Sequence, residues 1–234
     1  MKLFKNVMMA AALVASLHAN AQTADEIVAK HIEGMGGAAK LATLTSVKKT
    51  GTLSAQGYDI PVVMTVLQQK GFRLDLDIMG TANYQVVTPQ KGFIFFPIQG
   101  MTEPKDFDED QLKAAQGSLE IQSAFLNYKD KGMSVELLGT EKYNNADVFK
   151  LKVTNKAGKV STMFVDSKNY RLLKVVSKSK APDGSEVDQE TTYDDYKQNA
   201  DGFWFSYSST TPQGTIVFDK IESNIKVDEN IFKN

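Results

Sequence analysis

The most regular patterning in the chain runs from Ile60 to Met79, IPVVMTVLQQKGFRLDLDIM. Phe72, Leu74, Leu76 and Ile78 alternate with Arg73, Asp75 and Asp77, which is how a strand with one buried face reads. In the preceding segment Ile60, Val62, Met64 and Val66 are all apolar, whereas the intervening positions include Pro61 and Thr65. A turn of about three residues ending at Gly71 brings that even face beside Phe72, Leu74 and Leu76. The expected product is a hairpin within a large antiparallel sheet that has a greasy face to cover.

The flanking patterns supply the cover and the other strands. Thr23-Ala24-Asp25-Glu26 is a capping box that starts a helix. Val28, Ile32 and Met35 make its apolar stripe, and Gly34-Met35-Gly36-Gly37 stops it. Ala38 to Leu44 predicts a further helical turn, followed by a strand near Ser46 to Tyr58 in which Lys49 shares a side with Val47 and Leu53. Ala82, Tyr84 and Val86 share one face of a later strand, and Phe93 to Phe96 form another after a turn at Pro89-Gln90-Lys91-Gly92. Pro97 to Lys105, with two prolines and a glycine, cannot be a central strand. Asp108 and Gln111 then have capping-box spacing within an acidic helix start. Leu112, Ala115 and Leu119 form one helical stripe and, after a break at Gly117-Ser118, Ile121, Phe125 and Tyr128 form a second. From Met133 onward, turn signals at Asn144-Asn145, Asn155 to Gly158, Asp166 to Asn169, Pro182-Asp183-Gly184, Asp201-Gly202 and Pro212 to Gly214 separate strand-length segments. The prediction is about ten or eleven strands, five before the helical insertion and six after it, in an antiparallel sheet because no βαβ rhythm is present.

The N-terminus changes the cellular setting. Met1-Lys2-Leu3-Phe4-Lys5, an apolar run from Val7 to Leu17 and Ala19-Asn20-Ala21 read as a secretory signal peptide cleaved after Ala21. A bilayer span needs roughly 20 apolar residues, and this run is about half that. The chain has no cysteine, so neither a disulfide nor a lipidated cysteine is available, and no N-x-[ST] sequon occurs. These features point to a bacterial periplasm or to secretion, with residues 22–234 forming one monomeric domain without a lipid anchor. Loss of Lys2 and Lys5 moves the net charge from −1 to about −3. With no basic run longer than Lys48-Lys49, nucleic-acid binding is excluded.

Catalytic and metal chemistry find little support. His31 is the single histidine left after cleavage, and its place beside Lys30 and Glu33 predicts a solvated helix residue. Asp75 and Asp77 read as a water-facing strand. Asp106, Asp108, Glu109 and Asp110 lack the glycine and distal glutamate of a calcium loop. Gly34-Met35-Gly36-Gly37 follows a helix rather than a strand and is a helix stop, not a phosphate loop. Trp204 reads as a structural aromatic. No catalytic residue, metal or cofactor is expected. Two arrangements remain open on these grounds: helices packed onto the sheet at native density, or a half-barrel whose helices form a removable lid over an apolar pocket. The prolines and glycine of Pro97 to Pro104, the break at Gly117-Ser118 and six methionines after residue 21 suit the second.

The order of parts resembles the outer-membrane lipoprotein carrier (LolA-like) family, in particular its Bacteroidetes-type lipoprotein-sorting versions. The resemblance rests on the capped Thr23 to Val28 helix, Gly71-Phe72-Arg73-Leu74-Asp75, the Phe93 to Pro97 strand, the helical insertion, Phe164-Val165-Asp166, Leu172-Leu173-Lys174-Val175 and the closing Val227-Asp228-Glu229-Asn230-Ile231-Phe232. It implies a mainly β fold, an incomplete antiparallel β-barrel closed by an N-terminal helix and a mid-chain helical lid. It also implies a cavity for lipoprotein acyl chains or another lipid, received from an inner-membrane transporter and passed to an outer-membrane acceptor. On that reading Val62, Met64, Val66, Phe72, Leu74, Leu76, Tyr84 and Phe93 line the cavity, and Leu112, Leu119 and Phe125 belong to the lid. Relatives of this fold that sense lipid in envelope-stress signalling, and a structural module with a filled core, are the alternatives. The family's Arg-Pro pair at the turn before the Phe72 strand, where the arginine contacts the lid, is replaced here by Gln68-Gln69-Lys70-Gly71. Arg73 is expected to face outward, away from any lid.

Overall fold

The structure is a computed structural model, and it describes residues 22–180 and 185–233. The expected signal peptide and the expected turn at Pro182-Asp183-Gly184 lie outside the described residues. Helix α1 (Ala24–Gly34) starts at the Thr23 capping box, with both reciprocal hydrogen bonds to Glu26 formed, and α2 (Ala38–Ala42) follows directly. Strands β1 (Ser46–Ala55), β2 (Tyr58–Leu67), β3 (Gly71–Ile78), β4 (Thr81–Val87), β5 (Gly92–Phe95) and β6 (Lys105–Asp106) precede α3 (Glu109–Ala115). After α3 come β7 (Ser134–Tyr143), β8 (Ala146–Thr154), β9 (Val160–Asp166), β10 (Leu172–Lys180), β11 (Glu186–Gln198), β12 (Trp204–Thr211) and β13 (Gly214–Ser223).

All thirteen strands form one open antiparallel sheet in the order β6-β5-β4-β3-β2-β1-β13-β12-β11-β10-β9-β8-β7. It is two meanders joined where β1 pairs with β13. Two strands exceed the sequence count. β6 is only two residues long, and β7 is hidden because a bulge between Leu137 and Gly139 interrupts its alternation. Tight hairpin turns follow the local chemistry: Gln56-Gly57, Met79-Gly80 and Asn144-Asn145 all carry the paired positive φ values that match strand twist.

The helical insertion is shorter than predicted. α3 is capped by Asp108 and Gln111 as expected, and a 3-10 turn continues it through Gln116–Leu119. Ile121, Phe125 and Tyr128 do not form a second helix; residues 124–132 are successive turns. Positive φ at Ser123, Asn127 and Gly132 breaks the helical path there.

The sheet's inner face carries α1, α3 and the turns between them. Ile27, Val28 and Ile32 pack with Phe125, Leu126 and Tyr128 onto Phe149, Leu151, Val153 and Val165 of β8 and β9. Leu112, Ala115 and Leu119 pack onto Val66, Phe72 and Val87. The outer face is also partly covered: a C-terminal 3-10 turn, Glu229–Phe232, buries Phe232 against Val86 and Phe93. Gly71 permits this, because a Cβ there would lie 2.5 Å from the Phe232 ring.

Candidate functional site

The strand register decides which predicted cavity residues share a face. Val62 pairs with Leu76, Met64 with Leu74 and Val66 with Phe72, so these six stand together on the inner face. Tyr84 and Phe93 do not join them. The tight turn at Met79-Gly80 sets Tyr84 opposite Asp75, on the polar side of β3, and Phe93 pairs with Val86 on that same side. Both belong to the outer face, where the Arg73 guanidinium lies 4.3 Å from the Tyr84 ring centroid. Arg73 also binds Asp75 and donates to the Ile231 carbonyl, which ties the C-terminal turn down on the face away from α3.

The three predicted lid residues separate. Leu112 and Leu119 cover the β2–β4 part of the inner face, while Phe125 lies beneath α1, its ring edge-on to His31 at 5.1 Å. What remains open is a cavity of about 210 Å³ on the other half of the face. Its walls include Met35, Lys49, Phe125, Leu172, Tyr193 and Phe205. Of the predicted site residues only Phe125 lines it. Tyr193, Phe203 and Phe205 lie on the strand-length segments between the turn signals, but nothing local marks them, or Tyr196, as cavity walls. Trp204 also reaches this wall, with the Arg171 guanidinium 3.9 Å from its ring.

His31 is 4% exposed, contrary to the expected solvated position. The buried stripe of α1 is Ile27, Val28, His31 and Ile32, one position wider than the apolar residues alone mark. Its Nδ1–H donates to the Tyr170 carbonyl at 2.7 Å, and Nε2 faces the Ser123 hydroxyl at 3.4 Å. Burial, with a contribution from Arg171, pulls the imidazole down to about 4. That makes it a weak general base for Ser123, whose oxygen also accepts from the Phe125 amide. Tyr193 and Tyr196 have their phenols pushed up by burial and stay neutral. The cavity is therefore apolar and uncharged except at Lys49 and at Glu120, which Lys131 neutralises at 2.7 Å. No cluster of metal-ligating side chains occurs among the described residues.

The cover is held at one hinge by neutral amides. Gln68 donates to Glu120 and accepts from the Ile121 amide, and the Gln69 amide donates to the Leu119 carbonyl. At the other end Gln116 donates to the carbonyls of Thr88 and Pro89. The turn that lacks the Arg-Pro pair thus still touches the covering segment, through glutamines.

No protein-family model matches the sequence, and no curated protein is similar to it. Solved structures are similar along nearly the whole length. A LolA superfamily protein from Nitrosomonas europaea has a TM-score of 0.56 at 13% identity over 92% of this chain and 99% of its own. A proposed outer membrane lipoprotein-sorting protein domain from Vibrio parahaemolyticus gives 0.53 at 18% identity over 89% and 95%. A DUF1329 family protein from Desulfovibrio piger gives 0.51 at 10% identity over 90% and 97%. With its open antiparallel sheet, N-terminal helix and mid-chain helical cover, this chain has the LolA-like fold.

Proposed function

We propose that this chain is a periplasmic carrier, not an enzyme, that holds the acyl chains of lipoproteins or other lipids on the inner face of the sheet for transfer to the outer membrane. The observation that carries this reading is the apolar inner face beneath a short, amide-tethered cover, with an apolar cavity beside it. Four of the six inner-face residues of β2 and β3, Met64, Val66, Phe72 and Leu74, are covered by Leu112 and Leu119, so a ligand entering the cavity gains more apolar surface by displacing that cover. Each buried CH₂ contributes about 0.8 kcal/mol, enough for a single long chain to compete with two leucines. The likeness to a LolA superfamily protein and to a proposed lipoprotein-sorting domain supports the assignment of cargo class.

The test is native mass spectrometry of residues 22–234 purified from membrane-containing extract, followed by solvent extraction and by titration with a fluorescent fatty acid. The expected result is an added lipid mass and saturable probe binding, both weakened by Leu74→Asp while the far-ultraviolet spectrum is kept. An empty protein with no saturable binding overturns the proposal.

A further inference from the structure

Lys49 stands apart from every other lysine on the sheet. It is paired across β1 with Met64 and Ile221, so its side chain projects from the inner face among apolar neighbours and lines the cavity. A bulge in β13 opposite Thr50 and Gly51 leaves Asp219 unpaired and brings Phe218 and Ile221, three residues apart, onto this one face. The Nζ sits 5.1 Å from the Phe218 ring centroid and 5.4 Å from that of Phe205. No hydrogen bond or salt bridge to the Lys49 ammonium occurs among the described residues. Two aromatic faces offset only part of the cost of withdrawing an ammonium from water, and burial lowers Lys49 to about 8. The other ionisable groups on the cavity wall offer no counter-charge: His31 is neutral, Tyr193 and Tyr196 keep their protons, and Glu120 is engaged by Lys131.

We propose that Lys49 is the headgroup site of the cavity, and that the ligand held there with the cover closed is a single-chain amphiphile with an anionic headgroup, a carboxylate or a phosphate. This rests on the carrier reading and names its ligand class. The apolar wall formed by Leu172, Phe203 and Phe205 takes the chain, and the acid supplies the missing partner of the ammonium. A cavity of about 210 Å³ falls below the roughly 300–1,000 Å³ of ordinary ligand sites, which favours one chain over several.

The experiment is a displacement titration of the wild-type chain with palmitate, hexadecyl phosphate and neutral monopalmitoylglycerol, repeated on Lys49→Met and Lys49→Arg. Methionine is unbranched, keeps most of the side chain's length and removes the charge, and thermal melting verifies that the variant folds. The wild type is expected to prefer at least one acid over the neutral ester by about 10- to 100-fold, the worth of a hydrogen bond to a charged group. Lys49→Met should bring the acids and the neutral ester to within about threefold of one another, whatever its overall affinity, and Lys49→Arg should retain the preference. Preference for palmitate alone identifies the carboxylate as the partner, and preference for hexadecyl phosphate alone identifies the phosphate. Equal binding of all three probes by the wild type, or an acid preference kept in Lys49→Met, overturns the headgroup site and leaves the acyl cavity standing. Failure of the wild type to bind any probe overturns the carrier reading along with it.

Discussion

His31 shows how a single side chain couples this fold to pH. Unfolded, it takes up a proton below about 6.5; folded, between Ile27, Phe125 and the Tyr170 carbonyl and near Arg171, it holds out until about 4. The unfolded state therefore binds more protons in that window, and stability falls as the pH falls through it. The expected loss is about 3 kcal/mol by pH 4 relative to pH 7, from 1.36 kcal/mol per unit. Urea unfolding at both pH values, compared with His31→Gln, measures it. An equal loss in the variant would assign the acid sensitivity to carboxylates instead.

At the scale of elements, the cover is the part of the inner face least secured by packing. α3 has no fully buried residue, and Leu119 in the turn after it is the main apolar anchor, at 1% exposure. Leu112 and Ala115 add partly buried contacts, and the polar part of its attachment is centred on Gln68. Truncation to Gln68→Ala strands the Ile121 amide and leaves one Glu120 oxygen with the Gln122 amide as its remaining donor, at a cost of about 1–3 kcal/mol. Because cover and sheet can separate without unfolding the strands, that cost should appear as local opening. Hydrogen exchange across residues 112–121 is expected to speed up by about tenfold or more while strands β8 and β9 keep their protection. Unchanged exchange in the cover would show that Leu112 and Leu119 alone hold it.

For the whole molecule, the critical element is the seam between the first and last strands. Among the described residues no other strand pair joins the two meanders. At Gly51 the seam is so close that a Cβ would lie 2.1 Å from the Val217 carbonyl oxygen. Gly51→Ala must push β1 away from β13 and disturb the bulge that orients Phe218 beside Lys49. A loss of about 3 kcal/mol is expected, visible as a lower urea midpoint, together with weaker acyl-probe binding. A midpoint equal to that of the wild type would mean the seam yields without strain.

The sequence alone determined what depends on neighbours along the chain. The capping boxes at Thr23 and Asp108, the turns at Gly71 and Asn144-Asn145, the alternation of β2 and β3 and the antiparallel class all follow from local chemistry and short-range pairing. Where φ must turn positive, as at Ser123, or a bulge resets the alternation, as at Leu138, the local pattern misleads. Tertiary structure decided which face each strand shows to which neighbour. Tyr84 and Phe93 carry the alternation expected of cavity residues, yet register puts them under the C-terminal turn. His31 looks like a solvated polar residue until α1 closes over it, and Lys49, a break in the alternation of its strand, stands on the inner face at the β1–β13 seam. Alternation along a strand says that two faces differ, whereas which face is inner depends on segments a hundred or more residues away, and their contacts form only when the sheet is assembled.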